Sequence, residues 1–251
     1  MIEFDPLGWF EHILPLPWLH RIIRLCAIAI VSVFLVVRIG QYQNYFWKPL
    51  WAAEALLFIV LAIAFIVRDN PVDRSKGAKE IIVPLIGGVL PFCLLRTPPG
   101  AWSIGNTSLL TTLFLWITLA TALTIWGMWV LRYSFSITIE ARSLVTRGPY
   151  RWVRHPIYLG EILASTAVAV WRWSWLNVAI FLLFLIIQIL RARWEESKLK
   201  KIFPEYRELL SRTWWFWSIC SHFFSNKKTA CTEMPGAYLF NGFAPFSFRF
   251  N

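Results

Sequence analysis

Arg147-Gly148-Pro149-Tyr150-Arg151-Trp152-Val153-Arg154-His155-Pro156-Ile157-Tyr158-Leu159-Gly160-Glu161 reads differently from the apolar sequence on both sides of it, and the rest of the chain is arranged around it. The residue before a proline is turned away from the helical region, so Gly148 and His155 are expected at boundaries rather than inside a helix. Pro156 suits a first helical position, where its missing N–H has no partner to lose, and the helix is expected to run to about residue 170. The start of such a helix favours anions, because free N–H groups and the positive end of the macrodipole point outward there. Arg151, Arg154 and His155 stand beside it. A basic loop that only fixes membrane orientation would carry the same charges.

Moving outward, the apolar sequence is too long and too continuous for a soluble domain. Of 251 residues 57% are hydrophobic and 17% aromatic, and the mean hydropathy is +0.55. An all-α, polytopic membrane helical bundle is expected, with about six membrane segments at 22–37, 50–67, 81–95, 109–131, 157–170 and 176–190. The third carries Pro84, Gly87, Gly88 and Pro91 and is expected to kink or to pack against close neighbours. The last two are short and joined only by 171–175, which predicts a helical hairpin whose tryptophans anchor the far interface. Residues 4–18 read as an interfacial segment.

The formal net charge of +11 lies in clusters between apolar runs, which argues for orientation in a membrane and against nucleic acid. If both termini are cytoplasmic, 21 of the 25 lysines and arginines fall on the cytoplasmic side, so the quoted stretch is expected to face the cytoplasm. Cys26, Cys93, Cys220 and Cys231 form no CxxC pair, and neither a disulfide framework nor a metal site is expected. No cleavable signal peptide is expected, since Glu3, Asp5 and Glu11 precede the first apolar run without a basic residue.

A second polar constellation follows the hairpin: Arg191, Arg193, Glu195, Glu196 and Lys198, then Phe203, Pro204, Glu205 and Tyr206. If the helix continues, Arg191 and Glu195 share a face, and the hairpin returns them to the interface that holds His155. Charges that converge at a membrane boundary line a site more often than they form an idle ion pair. An exposed Arg191–Glu195 pair would be worth only about 0.3 to 0.5 kcal/mol.

Together, Gly148-Pro149-Tyr150, Arg154-His155-Pro156, Tyr158, Gly160, the apolar hairpin, and Glu195-Glu196 with Leu199, Phe203 and Tyr206 resemble the membrane methyltransferases that include isoprenylcysteine carboxyl methyltransferases and phospholipid N-methyltransferases. The resemblance covers about residues 140–212. Sterol C14 reductases carry a similar RHP stretch and use a nicotinamide cofactor, but differ in the acidic motif after the hairpin.

The resemblance implies S-adenosylmethionine as cofactor, with Tyr150, Arg154, His155, Tyr158, Gly160, Glu195 and Glu196 as cofactor-binding residues and Arg191 and Glu195 as catalytic ones. It implies a lipophilic acceptor, foremost a prenylcysteine-type carboxylate, with a phospholipid amine or a small thiol as alternatives, and membrane lipids as surroundings. Residues 1–135 are then expected to form the acceptor side, 136–212 the methyltransferase core, and 213–251 an interfacial or mobile tail.

Overall fold

The computed structural model describes residues 15–213. The interfacial reading of 4–14 and that of the aromatic and basic tail from 214 onward lie outside the described residues. Among the described residues seven α-helices follow in chain order: α1 Leu16–Gly40, α2 Lys48–Val67, α3 Gly77–Leu94, α4 Thr107–Leu131, α5 Pro156–Trp171, α6 Trp175–Ile202 and α7 Tyr206–Arg212. Among the described residues there is no strand, only one isolated antiparallel bridge between Asp73 and Ala141.

Local sequence sets the ends of these helices. Asn106 caps α4 by accepting from the Leu109 amide at 3.0 Å. Ser174 caps α6 by accepting from the Asn177 amide at 3.1 Å, and prolines open α1, α2 and α5.

All six expected apolar runs are helical. Five of the helices, α1 to α4 and α6, are long and apolar enough to cross a membrane, and α5, with 16 residues, is a shorter apolar helix. Large apolar side chains such as Val36, Ile66, Val89, Leu119 and Ile186 point outward all round the bundle, an arrangement that only lipid accommodates. The protein is an integral membrane protein.

The hairpin forms, but its arms are unequal. At a rise of about 1.5 Å per residue, α5 is about 24 Å long and α6 about 42 Å. A ~30 Å hydrocarbon core takes about 20 residues from Trp175, so α6 leaves it close to Glu195. The polar constellation therefore stands on an uninterrupted continuation of the spanning helix.

Nor do the arms lie chiefly on each other. α5 packs most extensively on α4, and α6 on α3. Two glycines permit these contacts: a Cβ at Gly160 would stand 2.2 Å from Thr124 Oγ1 and 2.7 Å from the Ala120 carbonyl oxygen, and one at Gly87 would meet Ile187 at 2.9 Å. The expected close packing of the third apolar segment is thus met by α6.

Between these pairs lies a cavity of about 880 Å³, lined by residues of α1 to α7 and by the connection from α4 to α5. Residues 133–147 of that connection lie over one end of it. They are held there by Lys198 of α6, which donates to the carbonyls of Arg74 (2.7 Å) and Ile139 (3.0 Å) and to Glu80 (2.7 Å).

A candidate active site at one end of the cavity

Three chain segments meet at this end. The turn Gly148–Arg151 carries Tyr150, α5 begins at Pro156 with His155 as its N-cap, and α6 brings Arg191, Glu195 and Glu196 as it leaves the apolar region. His155 therefore stands at the boundary that its following proline requires. Its side chain does not cap the helix, which leaves the first amides of α5 free of a side-chain partner.

His155 and Tyr158 stack with ring centroids 5.4 Å apart and planes 6° from parallel. The Tyr158 hydroxyl donates to Glu195 Oε1, while Glu195 Oε2 lies 3.8 Å from His155 Nδ1. On its other side, His155 Nε2 is 3.3 Å from Glu196 Oε1. One imidazole thus joins the two adjacent glutamates, and the Glu195 carboxylate is partnered by an aromatic pair that lines the cavity.

Glu196 has a different place. It pairs with Arg154 at 3.5 Å and Lys200 at 3.9 Å and does not line the cavity. Arg154 does line it, yet its guanidinium also donates to the carbonyls of Leu210 (2.7 Å) and Thr213 (3.1 Å), holding α7 against the site. Gly160 faces α4, as its missing Cβ shows, so the close approach expected there is to a helix and not to a ligand.

Arg191 is buried and does not form the ion pair along its own helix that the spacing to Glu195 suggested. Nη1 donates to Gln188 Oε1 at 3.1 Å, Nη2 to the Ile137 carbonyl at 3.2 Å, and Cζ lies 4.7 Å from the centre of the Tyr158 ring. Its Nε is buried without a hydrogen-bond partner.

Two side chains that sequence reading passed over complete this wall. Gln188 donates to Glu161, and Glu161 lines the cavity beside Arg191. A carboxylate and an amide inside two otherwise apolar helices are the signal that could have pointed to them.

Outside the spanning segments, burial raises the pKa of the Tyr150 phenol, and the Glu195 carboxylate adds to this. Tyr206 is raised by burial first and by Glu196 next. Both phenols stay protonated and can only act as neutral hydroxyls. Among the described residues no group of His, Cys, Asp and Glu could hold a metal ion.

A membrane bundle with a carboxylate, histidine and tyrosine cluster at the end of a largely apolar cavity is suited to chemistry on a lipophilic molecule. The phospholipid methyltransferase family model matches residues 102–206, and over that stretch the chain is similar to that family. The match begins earlier than the motifs, taking in α4, and the packing of α5 on α4 through Gly160 gives a physical reason for it. No curated protein and no solved structure matches the chain.

Proposed function

We propose that the protein transfers a methyl group from S-adenosylmethionine to a lipophilic acceptor that reaches the cluster through the cavity, with a prenylcysteine-type carboxylate as the preferred acceptor. The observation that supports this most is the joining of the Tyr158–Glu195–His155 cluster to an 880 Å³ cavity running along α5 as far as Trp171.

The donor set suits the cofactor. Glu195 offers oxygen acceptors for an ammonium group or ribose hydroxyls, the uncapped amides of α5 suit a carboxylate, and the rings of Tyr150 and Tyr158 present faces favourable to a sulfonium cation. When bound, the sulfonium supplies a methyl carbon that is already activated. The protein then has to align the acceptor with it and exclude water.

In this reading Glu196 is a positioning residue that fixes His155 and Arg154. Arg191 lines the cavity and offers its guanidinium to an acceptor carboxylate, which needs no general base before it attacks. The N-terminal helices supply the acceptor side, since Leu50, Leu57 and Leu61 of α2 line the cavity. The basic loops at 68–79 and 132–154 meet at the cluster's end of the bundle, which supports a cytoplasmic active site.

Glu161 favours a second acceptor. A carboxylate facing the cavity beside Arg191 could pair with an ammonium group and take its proton, which a phospholipid amine would require before methylation.

Binding of labelled S-adenosylmethionine to the purified protein tests the cofactor, and retention of a nicotinamide cofactor in its place would overturn the reading. A panel of prenylcysteine and aminophospholipid acceptors then decides between the two walls. Arg191→Ala is expected to lower turnover of a carboxylate acceptor by more than tenfold, with cofactor affinity changed far less. Arg191→Lys, which keeps charge but loses the planar fork, is expected to fall between the two. Equal losses of turnover and cofactor affinity would remove Arg191 from the acceptor.

A further inference from the structure

Three arginines at the cluster's end of the bundle take no part in the proposed methyl transfer. Arg24 is on α1, Arg68 follows α2 as its C-cap, and Arg142 lies in the connection between α4 and α5. The backbone draws their segments together: the Asp69 amide donates to the Tyr133 carbonyl at 2.8 Å, the Val72 amide to Ala141 at 2.8 Å, and Arg24 Nη2 to the Arg68 carbonyl at 3.0 Å.

Arg68 is only 8% exposed and Arg142 only 7%. Arg68 packs its guanidinium over Phe65, 5.0 Å from the ring centre, and makes no ion pair among the described residues. Arg142 pairs with Glu140. The Nε of each is buried without a hydrogen-bond partner.

The acids nearby do not complete the set. Glu140 already accepts from Ser136 (3.0 Å), Thr138 (3.1 Å) and Ser75 (3.5 Å), and Asp69 is exposed. Burial, and next the positive charge of Arg142, push the pKa of Arg68 down to about 10, with Arg24 adding to the same effect. Burial also lowers Arg142, although Glu140 opposes it. Buried cations left short of partners are costly unless something compensates them.

We propose that Arg24, Arg68 and Arg142 form a binding site for one phosphate group, separate from the methyl-transfer cluster. Arginines on three segments that hydrogen bonds hold together offer the forked donors that phosphate oxygens accept. Arg142 also lines the cavity, so the phosphate would sit at its edge, at a level where lipid headgroups lie. A lipid headgroup and free inorganic phosphate share this chemistry.

Thermal unfolding of the full-length protein in a neutral detergent tests the site, with four conditions: no addition, a short-chain phosphatidic acid, the matching uncharged diacylglycerol, and inorganic phosphate. A rise in midpoint with phosphatidic acid alone identifies a lipid headgroup, and an equal rise with inorganic phosphate identifies a free anion. Diacylglycerol is expected to do nothing. Arg68→Met, which keeps an unbranched apolar side chain beside Phe65 and removes the unpartnered charge, is expected to leave the unliganded midpoint unchanged or raised and to weaken phosphate binding by about tenfold or more. Arg142→Gln, which leaves the packing around Phe65 alone, is expected to weaken binding similarly. No response of the wild-type protein to either phosphate compound would overturn the site, as would full responses in both variants or a lowered unliganded midpoint in Arg68→Met.

Discussion

The two ends of the cavity both carry ionisable and polar side chains, and they use them differently. At the far end, Asn177 donates to the carbonyls of Leu94 (3.2 Å) and Arg172 (2.7 Å) and to Thr97 Oγ1 (2.7 Å), tying the hairpin tip to the end of α3. Glu54 there accepts from Tyr45 at 2.7 Å and pairs with Arg38 at 3.1 Å. These groups mostly meet backbone or one another. At the near end, Tyr158, His155 and Glu195 are held by Glu196 from behind, with Arg191 against the Tyr158 ring, and line the cavity themselves. A polar group that secures the chain and one that can act on a ligand therefore differ in what lies behind them, not in residue type.

The largest expected effect separates packing from chemistry at the near end. Gly160→Val places carbon where Thr124 Oγ1 and the Ala120 carbonyl already stand, and is expected to lower stability by upwards of about 3 kcal/mol by forcing α5 off α4. Thermal unfolding of the purified variant reads this. Thr124→Ala in the same chain is expected to recover only part of the loss, because the Ala120 carbonyl remains. Wild-type stability in Gly160→Val would return that glycine to the ligand side.

Glu195→Gln comes next, keeping the shape of the side chain while removing its charge. Cofactor affinity is expected to fall by about 1.5 to 3 kcal/mol, with little change in the unfolding midpoint. Isothermal titration with S-adenosylmethionine measures it. An unchanged affinity would make Glu195 another structural polar group, like those at the far end, and erase the contrast.

How far this contrast could be read in advance depends on the range of the interactions. Helices, their order and the start of α5 follow from local properties: apolar runs, Pro156, and caps such as Asn106. The hairpin and the convergence of His155 with Glu195 also follow, because one short turn returns the chain to the same level. What local pattern does not encode is the direction of a side chain around its helix in lipid, where apolar residues occur on every face. Gly160 was assigned to a ligand and faces α4 for that reason, and Arg191, placed by its spacing on the face of Glu195, reaches Gln188, Tyr158 and the carbonyl of Ile137, which lies 54 residues away. The connection over the cavity alternates polar and apolar residues from Ser134 to Arg142, a local pattern that does not say where the segment lies, and its folding over the site is set by Lys198, Glu80 and Asp73 from distant segments.

At the far end, Asn177→Ala removes three donor contacts and leaves two backbone carbonyls and Thr97 to find other partners. The expected loss is about 1 to 3 kcal/mol of stability, because Asn177 is fully buried and its partners are left in a dry site, with cofactor affinity unchanged. Paired measurements of unfolding midpoint and affinity check both halves. A fall in cofactor affinity would show that the hairpin tip communicates with the near end, and that the two ends do not act separately.

The smallest effect expected is that of Tyr45→Phe, which deletes the hydroxyl that donates to Glu54 while leaving Arg38 in place. One hydrogen bond of this kind is worth about 0.5 to 1.5 kcal/mol net, and the remaining ion pair keeps the Glu54 carboxylate compensated, so the fold should tolerate the change. Tyr45 and Glu54 nevertheless line the same cavity as Tyr158. If the acceptor extends along α5 with its reactive group at the cluster, its other end comes to this wall, and the variant should alter KM for long acceptors while sparing short ones. Cofactor affinity should not move in either case. Measuring KM across acceptors of increasing chain length therefore reads the far end by its contact with the acceptor and the near end by its chemistry. A variant that lost turnover equally at every length would show that the far end acts on the reaction itself.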